Sequence, residues 1–144
     1  MDKDTICLLK ECNAGCKMGL KSLEDLVEKA HNQKMANQIK HAIDKHREIE
    51  DKTHVALLER GEEDKEPSGL AEAMSFVKTN IKLAVDSSDS EIAELLIDGC
   101  NMGIKSVSRY LNKYSAAEGS VKNNVEDLIK CEQKLMDELR FYLD

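Results

Sequence analysis

Four side chains, Cys16, His46, Cys100 and Glu132, define the chemistry that this sequence could perform. Two thiolates, an imidazole and a carboxylate form a donor set that suits zinc or another borderline divalent ion in tetrahedral geometry. The same thiols could run redox chemistry. A plainer outcome is a structural polar layer, in which His46 and Glu132 neutralise each other inside the protein and the thiols act as small apolar fillers. A carboxylate on an apolar seam is costly unless paired or ligated, so Glu132 requires one of these explanations. The choice depends on whether four residues far apart in the chain meet at one height.

The elements that must position them are helices. From Asp4 to Ala30 the residues Leu9, Cys12, Cys16, Leu20, Leu23 and Val27 recur at three- and four-residue intervals, the spacing of one helix face. A second such face, Met35, Ile39, Ala42, His46, Ile49, Thr53 and Ala56, runs to Gly61, a residue suited to ending a helix. An acidic loop follows, closed by Pro67, and Ser68 can cap a shorter helix carrying Leu70, Met74, Val77, Ile81 and Ala84. Ser88 with Glu91 has the form of a capping box for a helix bearing Ala93, Leu96, Cys100, Ile104, Val107, Leu111 and Tyr114. The last helix, expected to be capped near Ser115 with Glu118 three residues on, carries Val121, Val125, Leu128, Glu132, Leu135, Leu139 and Tyr142.

No segment alternates with the period of two that a strand requires. The expected fold is therefore all-α: an antiparallel four-helix bundle in one domain over 1–144. It comprises a hairpin over 4–60, a crossover over 61–90 containing the shorter fifth helix, and a second hairpin over 91–143.

The halves resemble each other. Gly15-Cys16-Lys17-Met18-Gly19-Leu20-Lys21-Ser22-Leu23 returns as Gly99-Cys100-Asn101-Met102-Gly103-Ile104-Lys105-Ser106-Val107, and the second helices of the hairpins align His46 with Glu132. Residues equidistant from a hairpin turn lie at one height, which sets His46 opposite Cys16 or Lys17 and Glu132 opposite Cys100 or Gly103. The four candidates then share one layer. The paired Gly-x-x-x-Gly elements read either as close packing of the first helix on the fourth or as space kept for a ligand. Outside the layer, Asp51 and His54 read as a solvated pair, Cys131 as a residue at a helix interface, His31 as a loop residue and His41 as lying just off the apolar stripe.

Composition narrows the functional classes. With 21 Lys and Arg against 28 Asp and Glu the net charge is −7, and only three Tyr and two Phe occur. A phosphate backbone would be repelled and the stacking platform of single-strand binders is missing, so nucleic acid is not an expected partner. No apolar run reaches the length of a membrane span, and the opening residues resemble no export signal, which leads to an expected cytoplasmic location. Five cysteines without a Cys-x-x-Cys fit reduced thiols better than a disulfide framework. Neither a nucleophile with an oriented base nor a phosphate-cradling loop is visible, so no reaction is assigned. A homo-oligomer or a protein partner is a further expectation, since bundles pair through exposed apolar faces.

The arrangement resembles the ferritin-like superfamily, and more closely a group of bacterial ferritin-like bundle proteins with no assigned activity. The resemblance covers nearly the whole chain and is carried by Pro67-Ser68-Gly69-Leu70-Ala71-Glu72-Ala73, Asp89-Ser90-Glu91-Ile92-Ala93-Glu94 and Asn101-Met102-Gly103-Ile104. It implies the bundle fold and a lineage that used the mid-bundle layer for metal. Ferritin-like di-iron proteins take one Glu from each of two helices and Glu-x-x-His from the other two. Here those spacings read Ile43-x-x-His46 and Ile129-x-x-Glu132, and Cys16 and Cys100 stand where the single Glu residues are expected. A binding or interaction module without an intact di-iron motif is the primary expectation. The alternative is a single zinc-like ion or a thiol-redox site at Cys16, His46, Cys100 and Glu132.

Overall fold

The computed structural model describes residues 3–65 and 88–144. The helices are α1 (Lys3–Val27), α2 (Gln33–Glu59), α3 (Asp89–Lys113) and α4 (Gly119–Leu139), with a closing 3-10 turn at Arg140–Tyr142. The described residues contain no strand. The shorter helix expected around Leu70 to Ala84, with Ser68 and Pro67, lies outside the described residues.

Local chemistry sets most helix ends. Asn32 caps α2, its side chain accepting from the Met35 N–H at 3.0 Å. At the far end Gly61 has φ of +70°, a conformation glycine adopts without steric cost. There the Gly61 N–H donates to the Leu58 carbonyl and the Glu62 N–H to that of Leu57, the paired bonds that close a helix ending in glycine. Ser88 caps α3 as its spacing implies, accepting from the Glu91 N–H at 3.3 Å.

The start of α4 corrects the expectation of a cap near Ser115. α3 continues to Lys113, and α4 begins at Gly119 behind Glu118, which makes no side-chain capping bond. Tertiary contacts fix this turn instead. The Glu118 N–H donates to Thr5 Oγ1 at 3.0 Å, and the Glu118 carboxylate accepts from Arg60 Nη2 at 2.9 Å.

Contacts at the two ends establish the helix directions. The Asp89 carboxylate accepts from the His31 N–H at 2.7 Å and the Asn32 N–H at 3.0 Å, so α3 begins beside the α1–α2 turn. The Ala116 N–H donates to Asp4 at the opposite end, beside the end of α2. Accordingly α2 and α3 run the same way, α1 and α4 run the other way, and the packed neighbours α1–α2, α3–α4, α2–α4 and α1–α3 are antiparallel.

The core comprises two apolar clusters. One gathers Leu20, Leu23, Met35, Ile39, Leu96 and Leu135 near the α1–α2 turn, and the other gathers Leu8, Leu9, Ile49, Leu57, Val125 and Leu128 at the far end. His46 lies between them, one turn from Ala42 in the first cluster and three residues from Ile49 in the second. No described helix is long and apolar enough to cross a membrane.

Candidate functional site

The apolar seam of α2 carries His46 into the interior with 0 % of its surface exposed, and that of α4 carries Glu132 in with 8 %. The two side chains meet directly, His46 Nε2 against Glu132 Oε1. The other ring nitrogen, Nδ1, lies 2.7 Å from the Ala42 carbonyl oxygen one turn back on α2. A carbonyl can only accept, so Nδ1 carries a proton and donates it there, and the second proton lies between Nε2 and the carboxylate. Burial alone would strip the charge from the ring. Cys131 and Glu132 outweigh that effect and push the His46 pKa up to about 10, so at neutral pH the layer holds an imidazolium against a carboxylate.

The repeated glycines make room for this pair. A Cβ placed on Gly19 would lie 2.9 Å from both His46 Cδ2 and Nε2, and one on Gly103 would lie 3.6 Å from Glu132 Oε2. Each polar side chain thus faces the second glycine of its own hairpin. The other two glycines differ: a Cβ on Gly15 would touch Val107 and Leu128, whereas one on Gly99 would meet nothing within 4 Å. The close-packing reading of the motif therefore describes Gly15, and side-chain clearance describes Gly19 and Gly103.

The thiols are distributed around this pair. Cys100 is buried beside Glu132, and burial together with that carboxylate holds its thiol well above the usual range. Cys16 is fully buried and hydrogen-bonded to Cys12; that bond, burial and the nearby negative charge also push its thiol up. Neither is a ready nucleophile at neutral pH, since the thiolate is the reactive form. The sulfur in contact with the imidazole belongs to Cys131, whose Sγ is 3.6 Å from Nδ1. Helical spacing puts Cys131 beside the seam, and only the packing of α4 on α2 brings it to the ring.

A second polar contact spans α1 and α2. Asn13, fully buried, donates from Nδ2 to Thr53 Oγ1 at 3.1 Å and to the Glu50 carbonyl at 3.2 Å, and its Oδ1 has no partner among the described residues. The available signal is that Asn13 follows Leu9 by one turn on the apolar stripe. His54 does not pair with Asp51 as a solvated couple. It meets Asp64 at 3.0 Å, and Lys17 reaches the same carboxylate at 3.0 Å, so the chain after α2 is tied back across α1.

These donors do not fit the metal chemistry of a di-iron bundle. Both ring nitrogens of His46 are engaged, and Ile43, where such a site would need a carboxylate, is a buried core residue. Among the described residues no group of three or more His, Cys, Asp or Glu side chains is placed to hold a metal ion. Comparison with family models, curated proteins and solved structures finds no match to this chain. The functional reading accordingly rests on the residues themselves.

Proposed function

We propose that this chain is a ferritin-like bundle protein without a di-iron motif, acting as a binding or interaction module whose mid-core polar layer serves architecture rather than reaction. The observation that carries this reading is the closure of the layer. His46 spends one ring nitrogen on Ala42 and the other on Glu132, while Gly19 and Gly103 leave clearance for these side chains alone.

The helix directions support the ferritin-like part. In the described residues α2 and α3 run the same way, with α1 and α4 antiparallel to them. One long crossover between two hairpins is the ferritin-like connectivity. The facing of Gly19 to His46 and of Gly103 to Glu132 supports an approximate two-fold relation between the hairpins. Exposed apolar side chains such as Val55, Leu58 and Phe141 are available for a partner or a second copy.

Elemental analysis of protein purified without chelators tests the reading. It predicts no stoichiometric metal; two irons per chain with oxidase activity would overturn it. The competing single-ion reading requires bound metal that disappears in the Cys16→Ser/Cys100→Ser variant.

A further inference from the structure

We propose that residues 61–65 form an ionic strap across the outer face of α1, closed in dilute salt and released when salt screens its charges, while the bundle beneath stays folded. The inference goes beyond the interaction-module reading and does not rest on it, because it concerns the outside of α1 and not the polar layer.

The strap begins where Gly61, with its positive φ, ends α2. Glu62 then meets Lys10 of α1 at 3.1 Å, Asp64 meets both Lys17 of α1 and His54 of α2 at 3.0 Å, and Lys65 contacts the Glu11 carboxylate of α1. The hydroxyl of Tyr110, on α3, donates to that same carboxylate. The segment thus passes from the end of α2 over α1 to the edge of α3.

Charge holds it there. Gly61-Glu62-Glu63-Asp64-Lys65 contains no apolar residue, so hydrophobic burial contributes little to its docking. The order of signs also fixes the register: acids at 62 and 64 lie on lysines and the base at 65 lies on a glutamate. A slip of one residue would set Asp64 against Glu11.

Glu11 is the lock. It is only 8 % exposed, and a carboxylate buried to that degree is costly without a counter-charge. Lys65 supplies the charge, and its hydrogen bond to Glu11 raises the Lys65 pKa in return. Burial pushes the Asp64 carboxyl up, but the hydrogen bonds from His54 and Lys17 outweigh it and hold that group below its ordinary range. The closed form therefore keeps these groups charged, and lifting the strap exchanges their ion pairs for hydration. Salt shifts that exchange, because the screening length falls from about 10 Å at 0.1 M to about 3 Å at 1 M and the pairs of Lys10, Lys17 and His54 are partly open to solvent. The apolar clusters beneath are not held by charge and do not loosen in the same way.

Backbone ¹⁵N relaxation on the full chain tests the strap. Order parameters of Glu62 to Lys65 are expected near the rigid value of about 0.85 in about 20 mM sodium chloride and below about 0.6 in about 1 M, with α1 and α2 unchanged. Potassium chloride should act like sodium chloride, and an uncharged osmolyte should have no effect. In dilute salt, Lys65→Gln and Glu11→Gln should each release the strap, Lys65→Arg should keep it closed, and Glu63→Gln, at an exposed strap position, should change nothing. Order at 62–65 that survives about 1 M of both salts overturns the proposal. So does release that occurs only as α1 and α2 melt, or release in Glu63→Gln as complete as in Lys65→Gln.

Discussion

At the scale of single residues, identical motifs perform different jobs. Gly19 and Gly99 occupy opposite ends of the two Gly-x-x-x-Gly elements, yet a Cβ on Gly19 would press into His46 at 2.9 Å and one on Gly99 would meet nothing within 4 Å. Gly19→Ala should destabilise by about 1–3 kcal/mol through overpacking, against the ~1 kcal/mol that alanine gains in helix propensity. Gly99→Ala should stabilise by up to ~1 kcal/mol, and denaturant midpoints of the two variants check both signs. Glu132→Ala should cost about 3–5 kcal/mol, because it leaves the buried imidazole without its counter-charge. The double replacement His46→Leu/Glu132→Leu should cost far less than the sum of its single variants, and additive costs in that cycle would count against a coupled pair. His46 and Glu132 were legible in the sequence because each interrupts an otherwise apolar helical stripe. So was the partner of Glu132, since Cys100 or Gly103 is expected opposite it and Gly103 faces it; that of His46 was not, because counting from a turn near His31 puts Cys16 or Lys17 there, whereas Gly19 faces the ring. Displacing a hairpin's centre by one residue moves the opposing partner by two, so small errors in a turn become a change of partner. The contact of Cys131 with His46 depends on how α4 sits on α2, which no periodicity within one helix encodes.

At the scale of helices, apolar spacing and cap residues revealed four elements, and the ends were right where the cap is local. Gly61 and Ser88, the two ends read from the sequence, act through bonds to their own helix, so their chemistry is written in neighbouring residues. Asn32 caps α2 in the same local way, though the sequence reading did not single it out. The start of α4 was misplaced because Thr5 and Arg60, distant in sequence, fix its first turn. Asp89 illustrates the reverse. It opens α3 and also accepts from the His31 and Asn32 N–H groups, joining the second hairpin to the turn of the first. Asp89→Ala should therefore lower stability by about 1–3 kcal/mol, since hydrogen bonds to charged groups fall in that range. A control at Asp98, on the exposed face of α3, should change stability by less than about 0.5 kcal/mol. Comparison of their thermal midpoints checks the difference.

At the scale of the whole molecule, the polar layer makes stability depend on pH from the alkaline side. The folded pKa of His46, about 10, lies above its ordinary value of 6.5, so the folded state holds this proton more tightly than the unfolded chain does. The contribution is fully present below about pH 6.5 and is lost as pH rises through about 10. Unfolding curves across that window should show the wild-type advantage over His46→Leu shrinking as pH rises; an advantage independent of pH would remove the imidazolium from the account. The two contributors to the layer also belong to different halves of the chain, 86 positions apart, and each half can make its own helix–helix contacts first. Loop closure over that separation delays their meeting, so the pair belongs to the late steps of folding. Glu132→Ala should consequently leave the refolding rate nearly unchanged and act almost wholly by accelerating unfolding, and stopped-flow chevrons would show the entire shift in the unfolding limb. A contact that joins two preformed halves is then a kinetic latch, setting how long the native state survives more than how quickly it is reached.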